Sequence, residues 1–284
     1  MNQIKLEQAL KQFFMEDIGD NDLSSDAIFS ENDRGSGVIK AKQSGVFCGE
    51  NVVKTAFSML NPNLEVHMFV KDGHELTAGE EIAVIKGSIR SILQGERVVL
   101  NLLQRMSGIA TLTKQAVLTL NSTHTKICDT RKTTPGLRMF EKYAVRIGGG
   151  YNHRFGLYDG VMIKDNHIAF CGSITKAVER VRNRVGHMVK IEVEVETEEQ
   201  LKEAISVHPD IIMFDNCPPE QVKKFVDMTP PDIITEASGG ITLKNLADYK
   251  DTNVDFISLG FITHSAPSID ISLSFSGRNS YESF

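Results

Sequence analysis

From about residue 125 the sequence falls into six short apolar runs, each closed by turn residues: TKICDT, GVMIKDN, VKIEVEVE, DIIMFDN, DIITEASGG and VDFISLGF. Helix-like segments separate most of them. EEQLKEAIS follows Thr197 as its N-cap, PPEQVKKFVDM opens with prolines, and TLKNLADYK comes just after Gly239-Gly240. Near-continuous apolar strands alternating with helices mean a parallel sheet with crossover helices, an α/β fold.

Polar residues stand near the C-terminal ends of these runs: Asp129, Lys164, Glu194, Asp215, Ser238 and Gly260. From Lys164 onward their intervals are 30, 21, 23 and 22 residues, about one strand–helix unit each. In a β/α barrel the C-terminal rim carries the chemistry. One charged residue where a strand meets solvent says little, but a register of Lys, Glu, Asp, Ser and Gly points to a site.

Charge sharpens this. Asp129 to His167 holds seven Lys or Arg against four acids, a local +3 in a chain of formal charge −6, so the remainder carries −9. A local reversal of sign suits a small anionic ligand better than a long polyanion. With no basic arm and a pI near 5.8, nucleic acid is not an expected partner. No apolar run approaches the ~18 residues of a membrane span, and MNQIKLEQALKQFF lacks a signal-peptide core. Cys48, Cys128, Cys171 and Cys217 are scattered without metal-ligand spacing, so reduced thiols and a cytoplasmic setting are expected.

The first part of the chain reads differently. Leu6, Leu10, Phe13, Phe14 and Ile18 predict a helix over 3–18, stopped by Gly19. GSGVIKAKQSGVFCG is strand-like and ENVVKTAFSML helix-like. Residues 64–88 alternate apolar and polar residues around Asp72-Gly73 and Ala78-Gly79, the pattern of hairpins. This stretch looks like a lipoyl-type carrier hairpin, but it lacks a lysine at a tight turn and is read as a structural unit. Residues 90–120 predict one or two helices with a break near Ser107-Gly108.

Three chemistries follow from residue types. SGG at 238–240, closing a strand and leading into a helix, together with Gly260, Thr263, His264 and Ser265 after the last strand, predicts a phosphate site. Arg138, Lys142 and Arg146 share a face of a helix expected from Thr134-Pro135 to Gly148, and such like charges repel unless an anion lies between them. The alternative is a solvated face beside Glu141. Arg131, Lys132, His153 and Arg154 add cations at one mouth, and Arg forks grip carboxylates, so a diacid ligand is expected. His153 can instead be a structural histidine. Glu194 and Asp215 end consecutive strands, where they suit Mg²⁺ or a cationic, oxocarbenium-like transition state. In EVEVE, Glu192, Glu194 and Glu196 fall on one side, and spacing alone does not choose among them. Lys164 fits either a Schiff base or a point charge for phosphate.

The run DTRKTTPGLRMFEKYAVRIGGGYNHRFGLYDGVMIKDNHI closely resembles the signature of the quinolinate phosphoribosyltransferases. The likeness continues through EDIGDNDLSSDAI, GERVVLNLLQRMSGIAT, EVEVET, IMFDN, EASGGI and SLGFITHSAPSIDISL. It implies a decarboxylating transfer in NAD biosynthesis: quinolinate and phosphoribosyl pyrophosphate give nicotinate mononucleotide, CO₂ and pyrophosphate, with Mg²⁺. It also implies an N-terminal α/β sandwich domain (1–108, with 266–284 packing back on it) and an open, incomplete β/α barrel of the type II phosphoribosyltransferases (109–265). A homodimer or hexamer of dimers is implied, with Arg97 donated across the interface. Arg131, His153 and Arg154 would hold the quinolinate carboxylates, with Lys132 and Lys164 at the mouth. Glu194 and Asp215 would face ribose and metal, and Ser238, Gly239 and Gly260 the 5′-phosphate. The resemblance makes Lys164 electrostatic. The rivals are a molybdenum-transport-associated paralogue, which tends to lack the lysine context intact here in IKDNH, a Schiff-base aldolase using Lys164, and a metabolite sensor on a dead barrel.

Overall fold

In the computed structural model the described residues are 1–30 and 32–275. They form two compact units. The first comprises 1–112, Met139–Gly148 and the described stretch 266–275; the second comprises Thr113–Arg138 and Gly149–Ser265. The rest of the expected C-terminal segment, 276–284, lies outside the described residues.

In the first unit, strands β1 (Arg34–Ala41), β2 (Gly45–Val46), β3 (Glu65–Met68), β4 (Glu75–Leu76) and β5 (Glu81–Ser88) follow the alternating stretches. β1 lies between the strand Ile271–Phe275 and β5, and β3 completes the four-stranded antiparallel sheet, while β2 pairs with β4. The first helix, Gln3–Ile18, buries Leu6, Leu10 and Phe14 and stops at Gly19, whose φ of +59° favours glycine. Helix Glu50–Leu60 begins where Asp72 Oδ1 accepts from Gly49 N at 2.6 Å and Glu50 N at 2.9 Å. Asp72 Oδ2 also accepts from the Tyr143 hydroxyl at 2.6 Å, which ties in the helix residues Met139–Gly148.

The expected break in residues 90–120 does not occur. Ile89–Leu120 is one helix of 32 residues. Ser107 is fully buried and receives the Cys48 N–H at 3.0 Å, while a Cβ on Gly108 would lie 2.0 Å from the Pro267 carbonyl oxygen. The small residues are there for close packing, not to interrupt the helix.

In the second unit the six apolar runs all become strands: β6 (Lys126–Cys128), β7 (Val161–Ile163), β8 (Ile191–Val195), β9 (Ile211–Asp215), β10 (Ile234–Ser238) and β11 (Phe256–Ser258). They pair in parallel in the order β6-β11-β10-β9-β8-β7. β6 and β7 stay at opposite edges, so the barrel is open and incomplete, as expected. Helices Glu198–Val207 and Pro219–Met228 follow β8 and β9, with the Thr197 hydroxyl capping the former and a proline opening the latter. Ile191, Val193 and Val195 alternate with Glu192 and Glu194, so one strand face is apolar and the other carries acids. Phe214 packs edge-on against Phe225 with ring centroids 5.5 Å apart. No helix among the described residues is long and apolar enough to cross a membrane. All four cysteines are free thiols.

Candidate active site

At the C-terminal ends of the strands lies a cavity of about 390 Å³. Eight of the residues singled out from the sequence line it: Arg131, Lys132, His153, Arg154, Lys164, Glu194, Asp215 and Ser238. Gly239 and Gly260 stand on the adjoining loops outside its lining. Arg97 is exposed on the helix Ile89–Leu120 in the first unit.

The acidic wall is built by three parallel strands. Lys164 follows β7 and its N–H donates to His167 Nδ1 at 2.9 Å, fixing the start of helix Asp165–Cys171. Its ammonium is ion-paired with Glu194 Oε1. Burial pushes the Glu194 carboxyl up, and the hydrogen bond from Lys164 works against that shift. Of the three EVEVE acids, Glu194 is the one at the cavity; Glu192 lies buried below it and Glu196 is exposed beyond the strand. Asp215 ends β9, accepts from Asn216 Nδ2 at 2.8 Å, and stands in register with Ser238 of β10.

The cationic wall depends on Asp129. This fully buried acid accepts from His153 N at 2.9 Å and Asn152 Nδ2 at 2.6 Å, hooking the loop after the glycine run onto the end of β6. Arg154 Nη1 donates to Gly160 O at 2.7 Å. Burial lowers the basicity of Arg154, and the neighbouring Arg131 lowers it further. Two guanidiniums close enough to oppose one another's charge favour an anion between them.

The helical cation face expected at Arg138, Lys142 and Arg146 is not one surface. Helix Arg138–Ile147 buries Lys142 completely and leaves Arg146 exposed, both in the first unit. Arg138 instead braces its own loop, donating to Thr133 Oγ1 at 2.9 Å, Phe155 O at 2.8 Å and Arg131 O at 3.3 Å.

The phosphate expectation also changes in its physical basis. TLKNLADYK does not continue from the glycines as an α-helix; a 3₁₀ helix starts only at Leu246. Gly239 and Gly240 have φ of +84° and +66°, and a Cβ on Gly239 would lie 2.2 Å from Asn216 Oδ1. Backbone N–H groups in a left-handed turn, not a helix dipole, are what this loop offers an anion. Across the cavity, Thr263 Oγ1 donates to Lys132 O at 2.7 Å, and a Cβ on Gly260 would lie 3.0 Å from Lys132 Cδ.

The sequence reading missed Thr130 and, one layer down, Met162, Met213 and Ser258, which line the cavity, and Glu236, which lies deeper. A signal for the deeper layer existed. Met162, Glu192, Met213, Glu236 and Ser258 each stand two residues before a rim position, on the same strand face and one layer down.

Residues 22–107 match the family model of the quinolinate phosphoribosyl transferase N-terminal domain, and residues 109–274 that of its C-terminal domain. A probable nicotinate-nucleotide pyrophosphorylase (carboxylating) of Bacillus subtilis (strain 168) is 58% identical over 273 residues, 96% of this chain and 94% of that protein. A nicotinate-nucleotide pyrophosphorylase (carboxylating) of Rattus norvegicus is 39% identical over 241 residues, 83% of this chain and 80% of that one. The crystal structure of NadC from Streptococcus pyogenes superposes with a TM-score of 0.93 at 39% identity, covering 98% of this chain and 99% of that chain. Two domain models in sequence, a near-full-length relative and a matching solved fold place this chain in the quinolinate phosphoribosyl transferase family.

Proposed function

We infer that this chain joins quinolinate to phosphoribosyl pyrophosphate and releases nicotinate mononucleotide, CO₂ and pyrophosphate. This is the reverse of the carboxylating pyrophosphorolysis for which its relatives are named. The ring nitrogen bonds to the anomeric carbon as the carbon–oxygen bond to pyrophosphate breaks. The adjacent carboxylate leaves as CO₂ and a proton takes its place. The observation that carries the assignment is the gathering of Arg131, Lys132 and Arg154 around one cavity with Glu194, Asp215 and the Lys164 paired to Glu194.

Each group has a role on this account. Arg131 and Arg154 grip the two carboxylates, with Lys132, Lys164 and His153 beside them, and so aim the ring nitrogen. Glu194 and Asp215 face the sugar, where positive charge develops as pyrophosphate departs. Ser238, Gly239 and Gly260 receive the 5′-phosphate. Once N-ribosylated, the ring is cationic and stabilises the ylide left by loss of CO₂, so decarboxylation follows transfer. Glu194 and Asp215 offer hard oxygens but too few for a closed cage, which fits Mg²⁺ completed by water and substrate oxygens. These two carboxylates would hold the ion, and charge neutralisation of the leaving pyrophosphate is the chemistry it would supply there.

The same account makes the chain a homodimer or hexamer of dimers in which Arg97, exposed on its helix, serves the neighbour's site. Four free thiols support a cytoplasmic setting. Incubating the protein with quinolinate, phosphoribosyl pyrophosphate and Mg²⁺ should yield CO₂ and nicotinate mononucleotide in equal amounts, with nicotinate failing as a substitute. Turnover of nicotinate, or none of quinolinate, would overturn the assignment.

A further inference from the structure

Below the site, at the N-terminal ends of the same strands, lies a second cavity of about 280 Å³. Its apolar wall includes Ile211, Ile234 and Phe256, yet it also holds two acids, Glu192 and Glu236, only 3% and 4% exposed. His153 and Arg154 line this cavity and the one above it. Nothing in the transfer chemistry just described uses the two acids.

Donor atoms of His153, Glu192 and Glu236 all lie within 4.8 Å of one another, close enough to suggest a metal site. The hydrogen bonding points elsewhere. The backbone N–H of Arg154 donates to His153 Nδ1 at 2.8 Å. A ring nitrogen that accepts carries no proton, so the neutral imidazole keeps its proton on Nε2. Nε2 is the atom that faces the acids, 3.0 Å from Glu192 Oε2 and 3.6 Å from Glu236 Oε1. At 3.0 Å from Glu192 it is placed to donate, and a nitrogen that donates does not ligate.

The geometry points to Glu192 as a positioning residue for substrate binding: it holds His153 by its Nε2 proton, with Glu236 packed beside the pair, and His153 in turn fixes the backbone of Arg154. This rests on the assignment of the upper cavity to quinolinate. It deepens that assignment by making His153 a strut, with both nitrogens engaged inside the protein, in place of a direct carboxylate ligand.

The surroundings fit a strut. Glu236 accepts from the Ser258 hydroxyl, and Cys128 Sγ lies 3.9 Å from it. Burial, with Glu192 next in weight, pushes the Glu236 carboxyl up to about 8, so this acid keeps a proton at neutral pH. One acid then remains to accept from His153. The other charged groups around the cluster are already placed: Asp129 takes the His153 N–H, Asp159 takes the N–H groups of Phe155 and Gly156, Lys190 pairs with Asp210, and Glu194 pairs with Lys164. Glu192 Oε1 and Arg154 Nε are buried without a hydrogen-bond partner, so the cluster lies where a lost contact is not replaced easily.

Nitrogen-15 NMR of the histidine rings in the whole protein tests the strut without any substitution. His153 should show a protonated Nε2 and an unprotonated Nδ1; a proton on Nδ1 would overturn the proposal whether or not quinolinate is the substrate. Kinetics supply a second readout. Glu192→Gln keeps an accepting oxygen and should hold the KM for quinolinate within about threefold, whereas Glu192→Leu should raise it about tenfold and leave the KM for phosphoribosyl pyrophosphate unchanged. Equal rises in both KM values, or no rise in either, would count against a strut. Calorimetric titration with Zn²⁺ and Mn²⁺ covers the metal alternative: one tightly bound ion per chain, lost in the Glu192→Gln, Glu236→Gln double variant, would replace the strut with a metal site.

Discussion

A buried acid that keeps its proton leaves a trace in how the whole protein responds to pH. Glu236 is shifted from 4.5 to about 8 in the native fold, first by burial and then by Glu192. The folded state therefore holds this proton over a range in which the unfolded chain has released it. The contribution of this group to stability falls as pH rises through that window, because it is more protonated in the native state than in the unfolded one. Glu236→Gln abolishes the titration while keeping the shape. Urea melts of both proteins at pH 5, 6.5 and 8 should show the glutamine variant gaining on the parent at each step. A constant difference would mean that Glu236 is ionised in the fold. The same residue marks how far a sequence can be read. The rim acids Glu194 and Asp215 were legible because strand ends announce themselves by turns and spacing. Glu236 was hidden inside EASGG, where the phosphate-like glycines drew attention, although its place two residues before Ser238 gave it the same strand face.

Elements were legible wherever local chemistry and tertiary packing agreed. Thr197 caps a helix and Gly19 ends one because both effects are local. They failed where a small residue serves a distant neighbour. Ser107-Gly108 reads as a helix break, and the same letters are what a helix needs to let another backbone come close. Here the close neighbour is 267–268, about 160 residues along the chain, which no local pattern announces. Gly108→Ala is the corresponding prediction. Its Cβ would meet the Pro267 carbonyl oxygen at 2.0 Å and the Ser268 Cα at 3.1 Å, and backbone atoms cannot rotate away as a side chain can. Alanine is the better helix former, so on propensity alone the variant should gain up to about 1 kcal/mol. Packing reverses the sign, and overpacking of this kind costs about 1–3 kcal/mol. Thermal unfolding decides between them: a lower midpoint supports the close approach, and a higher one would restore the reading of Gly108 as a mere weak point in the helix.

At the scale of the whole molecule, the order of the chain and the order of the fold part company. The first unit gathers three separate stretches: residues 1–112, the helix residues Met139–Gly148 and the strand within 266–275. Each later stretch fills a place that the first cannot fill alone. Fully buried Glu141 takes Arg105 Nη2 at 2.9 Å and Nε at 3.1 Å, and Phe140 packs on Phe13 with centroids 5.9 Å apart. Arg105 Nη1 also donates to Ala266 O at 3.0 Å, and Gln104 Nε2 to Ile271 O at 2.7 Å. In the sheet, Ile271–Phe275 pairs along β1 from Gly37 to Ala41. Without it β1 becomes an exposed edge, the kind of strand that recruits other chains. Residues 1–108 expressed alone should therefore lack a cooperative urea transition and should associate at micromolar concentrations, even though a sequence-family boundary falls almost at that point. Removing one partner of a buried ion pair alone costs about 3–5 kcal/mol, much of what a small domain has to spare. Supplying 139–148 and 266–275 on linkers should restore the transition if those stretches are what the fragment lacks. A cooperative, monomeric fragment of 1–108 would show that the later stretches only dock on a unit already complete.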